Sequence, residues 1–267
     1  MILPPKSGLL VSDLLFTIPG VEVIAPACVG GPSWATLSPR DYGTRKTPWI
    51  RQVIVHTTKG EDPQHVIPGV GPGGRDRVVA DFWKGDEAHS GAQLVVDNDG
   101  SVVCLVDLRR YAAYHATVSN DWSIGIEMYQ EAGGGVYEAT LRSTVKLVVA
   151  LCEIFEIPFQ VPGVPYRGHP LRRMTNGGPD CVGIFGHRDN TERRGRGDPG
   201  DEIFARLLAA GAEGFDFEAR ADVDAWARRQ SVLNHMGERL AVDGIAGPST
   251  IAAMKRLGFR AGREILA

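Results

Sequence analysis

Short runs rich in β-branched residues, RQVIVHTT (51–58), QLVVD (93–97), VVCLVD (102–107), SIGIEM (123–128) and CVGIFGH (181–187), alternate along this chain with segments of helical period. That alternation constrains the fold more than any other feature. Buried strands separated by helices pack as an α/β domain around one core. Asn98-Asp99-Gly100 sits between two of the runs and reads as a hairpin turn. From Ala139 to Glu156, apolar residues at Leu141, Val145, Val148, Val149, Cys152 and Phe155 follow the spacing of a helix with one buried face, and Pro158 stops it. VADFWKGD predicts a short helix, and Asp62 to Arg77, dense in Pro and Gly, a loop.

Before these elements, residues 1–48 show no sustained period and are expected to be an irregular segment wrapped on the main domain. Residues 49–214 form that main domain, with a long Pro/Gly-rich loop from Gln160 to Asp180 and a helix from Asp201 to Ala210. The period breaks near Gly211–Phe217. Helical segments Asp222–Met236 and Ser249–Leu257 follow, so residues 215–267 read as a small all-α domain. At 267 residues with 43% hydrophobic content, one large and one small domain is the natural division.

A formal net charge of −3 with both signs interspersed leaves no footprint for nucleic acid or an anionic membrane. The apolar stretches fall short of the roughly 20 residues of a membrane span. The first residues, MILPPKSGLLVSDLLF, lack the basic start and unbroken apolar run of a signal peptide. Cys28, Cys104, Cys152 and Cys181 contain no C-x-x-C pair, so no cysteine zinc knot is expected. Cys104 and Cys152 read as small core residues, and a Cys28–Cys181 disulfide stays open.

Two histidines at strand ends, His56 and His187, and Asp198 in the loop after His187 are metal-capable. Two imidazoles and a carboxylate suit a catalytic zinc, because three protein ligands leave a fourth position for water. Singly each residue has a plainer reading, a structural histidine or an Asp-Pro-Gly turn.

The ordered set VIVHTT, AHSGAQLVVDNDGSVVCLVDLRRYAAYHA, NDWSIGIEM and FGHRDNTERRGRGDPGDEIF resembles the zinc-dependent N-acetylmuramoyl-L-alanine amidases of the type 2 group, which includes peptidoglycan recognition proteins. The resemblance runs through most of residues 45–205 and implies a mixed central β-sheet flanked by helices. It implies zinc ligation by His56, His187 and Asp198, with Glu127 as the carboxylate that moves protons on the attacking water. Arg196 stands where the family usually has a lysine; its guanidinium could stabilise an oxyanion but not donate a proton. His115 matches a histidine near the family's substrate groove. The implied activity is hydrolysis of the amide between N-acetylmuramic acid and L-alanine in bacterial peptidoglycan.

Near the C-terminus, Asp243-Gly244-Ile245-Ala246-Gly247-Pro248-Ser249-Thr250 resembles the signature of a three-helix peptidoglycan-binding domain, with a tight turn at Asp243 and Ser249 capping the next helix. A monomer acting on the cell wall is expected, delivered by phage lysis or specialised secretion as an endolysin or antibacterial effector. An immunity or inhibitor protein is a partner the sequence leaves open. Two rivals remain: a recognition protein without activity, and a cytosolic amidase recycling soluble muropeptides.

Overall fold

The computed structural model describes residues 7–58, 75–85, 89–130, 135–162, 174–175, 178–179, 182–190, 198–215, 223–245 and 247–257. The chain divides into two compact units, residues 1–157 and 158–267. In the first, the strands are β1 (Leu9–Val11), β2 (Leu14–Phe16), β3 (Val23–Ile24), β4 (Tyr42–Thr44), β5 (Gln52–Thr57), β6 (Leu94–Val96), β7 (Val102–Cys104), β8 (Tyr111–Ala113) and β9 (Ser123–Met128). Its helices are α1 (Arg75–Gly85) and α2 (Glu138–Phe155).

Among the described residues of this unit the main sheet is mixed, with its strands in the order β5-β9-β6-β7-β3. β5 and β9 run parallel in register from Gln52 opposite Ser123 to Thr57 opposite Met128. Such a pair needs a crossover, which the intervening chain supplies. β6 lies parallel to β9 and antiparallel to β7. The hairpin expected at Asn98-Asp99-Gly100 is present, and Gly100 takes the left-handed conformation with φ +88. Each Val, Ile or Leu buried in these strands contributes about 1.5–3 kcal/mol relative to an exposed one.

Three local readings change. The stretch 7–48 carries four strands of two or three residues, too short to show a period, and β3 joins the main sheet beside β7. α1 begins at Arg75, inside the predicted loop, because the Pro/Gly density ends at Gly74. On α2 the buried face includes Thr140, Thr144, Leu147 and Leu151, while Val145 and Val149 are half-buried. Two polar residues join that stripe because Thr140 donates to the carbonyl of Asp97 at 2.6 Å and Thr144 to that of Thr140 at 2.8 Å.

Arg45 ties the loops of this unit together. Its guanidinium donates to the carbonyls of Leu108, Asn120, Asp121 and Ser123 at 2.8–3.1 Å. Burial pulls its pKa down to about 10, partly offset by Asp121.

The second unit contains β10 (Gln160–Pro162), β11 (Met174–Thr175), β12 (Gly178–Pro179), β13 (Gly183–Gly186) and β14 (Glu213–Phe215), with helices α3 (His187–Asn190), α4 (Asp201–Ala209), α5 (Val223–His235) and α6 (Pro248–Arg256). Between α5 and α6, buried Gln230 holds the loop in place. Its amide nitrogen donates to Asp243 Oδ1 and the Ile245 carbonyl, and its oxygen accepts from the backbone of Asp243 and Gly244. The turn at Asp243-Gly244 is as expected, but Ser249 lies within the first turn of α6 rather than at its cap. Pro248 opens that helix because its fixed φ suits a first position. Cys28 is an exposed free thiol, Cys104 and Cys152 are buried free thiols, and Cys181 lies outside the described residues. Among the described residues no helix is long and apolar enough to cross a membrane.

Candidate metal centre

SIGIEM alternates along β9. Side chains two apart share a face of a strand, so Ser123, Gly125 and Glu127 lie on one face, and Ile124, Ile126 and Met128 on the other. His56, fifth residue of β5, is the register partner of Glu127, which puts both on the same side of the sheet. His56 is 3% exposed and Glu127 is the one residue of β9 that is not fully buried.

His115 follows β8 and reaches His56 directly: His56 Nε2 and His115 Nδ1 are 2.9 Å apart, with the rings edge to face. Asn120 accepts hydrogen bonds from the backbone of His115 and Ala116 at 3.1 and 2.7 Å and so fixes that turn. A methyl group at position 125 would sit 2.6 Å from His115 Cγ, so the ring lies directly over the glycine of β9. The backbone N–H of Gly125 donates to Gln93 Oε1 at 2.7 Å. Gln93, Ser123 and Gly125 escaped the sequence reading as parts of this site. The period-two alternation of SIGIEM, polar or small at every second position, was the available signal.

In the second unit, His187 opens the one-turn helix α3 directly after β13. Its Nδ1 lies 3.2 Å from Asp198 Oδ2, and both residues are buried. The carbonyl of Asp198 accepts from the backbone N–H of Arg188 at 2.8 Å, and the Asp198–Pro199 peptide is cis. Arg188 is buried beside Asp201 at 2.8 Å and over the ring of Phe204, and burial lowers its pKa. Asp189 accepts from the Gly186 N–H at 2.7 Å, closing the strand-to-helix corner that aims His187.

His56 belongs to the first unit and His187 and Asp198 to the second; all three are buried, and each carries a metal-capable side chain. Two ligands of a tetrahedral zinc with bonds of about 2.0–2.1 Å stand about 3.3 Å apart, so the 3.2 Å between His187 and Asp198 fits such an ion. Arg196 lies outside the described residues.

A mixed sheet flanked by helices makes this an α/β protein. Residues 45–201 match the family described as N-acetylmuramoyl-L-alanine amidase, and the chain belongs to that family. Among solved structures it is similar to a selenomethionine derivative of AmpD, at 21% identity over 64% of this chain and 92% of that one, with a TM-score of 0.43. It is also similar to PGRP-Hd from Alvinella pompejana, at 14% identity, 52% and 82% coverage and a TM-score of 0.41. A third is the N-acetylmuramoyl-L-alanine amidase LysC from Clostridium intestinale URNW, at 17% identity, 69% and 96% coverage and a TM-score of 0.39. No curated protein sequence matches the chain.

Proposed function

We propose that this protein hydrolyses the amide between N-acetylmuramic acid and L-alanine in bacterial peptidoglycan, using zinc held by His56, His187 and Asp198. The observation that carries the reading is the buried pair of His187 and Asp198, 3.2 Å apart, in a chain of this amidase family that also holds a buried His56 at the end of β5. A zinc ion bound there would polarise the scissile carbonyl and lower the pKa of a water molecule to near 7.

Glu127 is assigned to proton transfer. As register partner of His56 on the neighbouring strand, and only half-buried, its carboxylate can take a proton from the attacking water and return it to the leaving amine. Arg196 is assigned to stabilising the oxyanion through charge and hydrogen bonds alone, because a guanidinium stays protonated. The catalytic domain is assigned to residues 49–214, with residues 1–48 as a segment accompanying it.

Residues 215–267 are assigned to peptidoglycan binding. The Asp243-Gly244 turn held by Gln230 supports that assignment by presenting Val242 and Ile245 to solvent. The protein is expected to act as a monomer at the cell wall, reached through phage lysis or specialised secretion.

Elemental analysis of the purified chain, with mass spectrometry of digested peptidoglycan, tests the reading. One zinc per chain and free stem peptides beginning at L-alanine are expected. Glu127→Gln should keep zinc and lose hydrolysis by about 10²–10⁴-fold. A metal-free chain that binds wall without releasing peptides would instead be a recognition protein.

A further inference from the structure

We propose that Ser123, acting through His115, is a positioning residue that holds His56 in a single tautomer, protonated at Nε2 and presenting Nδ1 to the metal. The proposal rests on His56 being a metal ligand. Its argument begins at a backbone carbonyl.

Ser123 Oγ lies 2.6 Å from the carbonyl oxygen of Ser119. A carbonyl cannot donate, so the hydroxyl proton must lie on that bond. The same Oγ is 3.1 Å from His115 Nε2 and has only lone pairs to offer it, so Nε2 carries a proton and donates. A neutral imidazole protonated at Nε2 has its lone pair on Nδ1. That atom stands 2.9 Å from His56 Nε2, where two facing lone pairs would repel, so His56 Nε2–H donates to it. His56 then keeps its lone pair on Nδ1. Proton direction thus passes from one main-chain carbonyl through two side chains to a ligand.

The surroundings make the arrangement stiff. Ser119 and Ser123 are fully buried, and His115 is 9% exposed. His115 is pinned below by Gly125, whose missing side chain is the space its ring occupies, and its backbone is held by Asn120. Each ring nitrogen of His115 has a partner within the fold, which assigns this histidine to orientation rather than to hydrogen-bonding the sugar or peptide. Metal-bound histidines are commonly oriented through their second nitrogen by a carboxylate or carbonyl. Here an imidazole and a serine relay that function.

The test uses the full chain. A long-range proton–nitrogen spectrum of the imidazoles in the metal-free protein should show both His115 and His56 protonated at Nε2. Zinc titration against a chelating indicator should show Ser123→Ala weakened about 10–100-fold, with Ser123→Thr close to the parent. His115 found protonated at Nδ1 overturns the proposal, and this spectrum needs no variant that folds. A parent chain that takes up zinc while Ser123→Ala matches it overturns the proposal alone. A parent chain that takes up no zinc overturns the metal reading and, with it, the assignment of Nδ1 as ligating atom.

Discussion

His56 and His187, the two histidines proposed to hold zinc, are built into the fold in different ways. His56 sits within a six-residue parallel strand pair, and a buried line of hydrogen bonds from Ser119 through Ser123 and His115 ends at its ring. His187 stands where a four-residue strand becomes a one-turn helix, facing the carboxylate of Asp198 across 3.2 Å. The first side is oriented by neutral groups that need no ion. The second brings an imidazole nitrogen against a carboxylate oxygen, an arrangement stable only with a proton or a cation between them. Preorganisation and charge balance are therefore divided between two stretches of chain far apart in sequence.

The largest test of that division is to remove each histidine. His56→Ala and His187→Ala should both bring zinc uptake to background by elemental analysis, a greater loss than the roughly 10–100-fold expected of a supporting residue. Either variant retaining one zinc per chain would remove its histidine from the ligand set. Next comes Gly125→Ala, whose added carbon would meet His115 Cγ at 2.6 Å. Overpacking of this kind costs about 1–3 kcal/mol, so a lower melting temperature and weaker zinc binding are expected. Unchanged melting would mean that the His115 ring does not rest on β9.

Removing metal with a chelator should separate the two sides. Amides of residues 183–190 and 198–205 should exchange faster, while those of β5 and β9 keep their protection; equal loosening of both would erase the contrast. The smallest effect should come from Asp76, distant from these ligands in sequence. Burial, then the charges of Asp97, Asp99 and Glu22, raise its pKa to about 6. A carboxyl raised in the folded state contributes stability that is present below about pH 4 and lost as pH rises through 6. Asp76→Asn should therefore melt about 2–4 °C higher at pH 7, lose that advantage towards pH 4, and leave zinc uptake unchanged.

Strands β5, β6, β7 and β9 and helix α2 were legible because their signals are local: β-branched runs, a turn glycine, a three-and-four spacing. What escaped depends on distant pieces of chain. Nothing near Arg45 in sequence announces the carbonyls of residues 108–123 that it binds, and the lateral support of His56 is visible only when β9 lies against β5. Ser123 and Gly125 were half-legible, since alternation places them on Glu127's face without saying what rests there. The strands of residues 7–48 were illegible because two or three residues cannot carry a period.

One of those strands bears on how the protein could be shortened. β3 borders β7 in the main sheet, pairing Val23 and Ile24 with Val102 and Val103, yet it precedes the residues that match the family. A chain trimmed to begin at residue 45 would lose this strip and leave the outer side of β7 with main-chain groups unpaired. Exposed strand margins of that kind recruit other strands, so the trimmed protein should self-associate as concentration rises, and its loss from solution could be mistaken for loss of function.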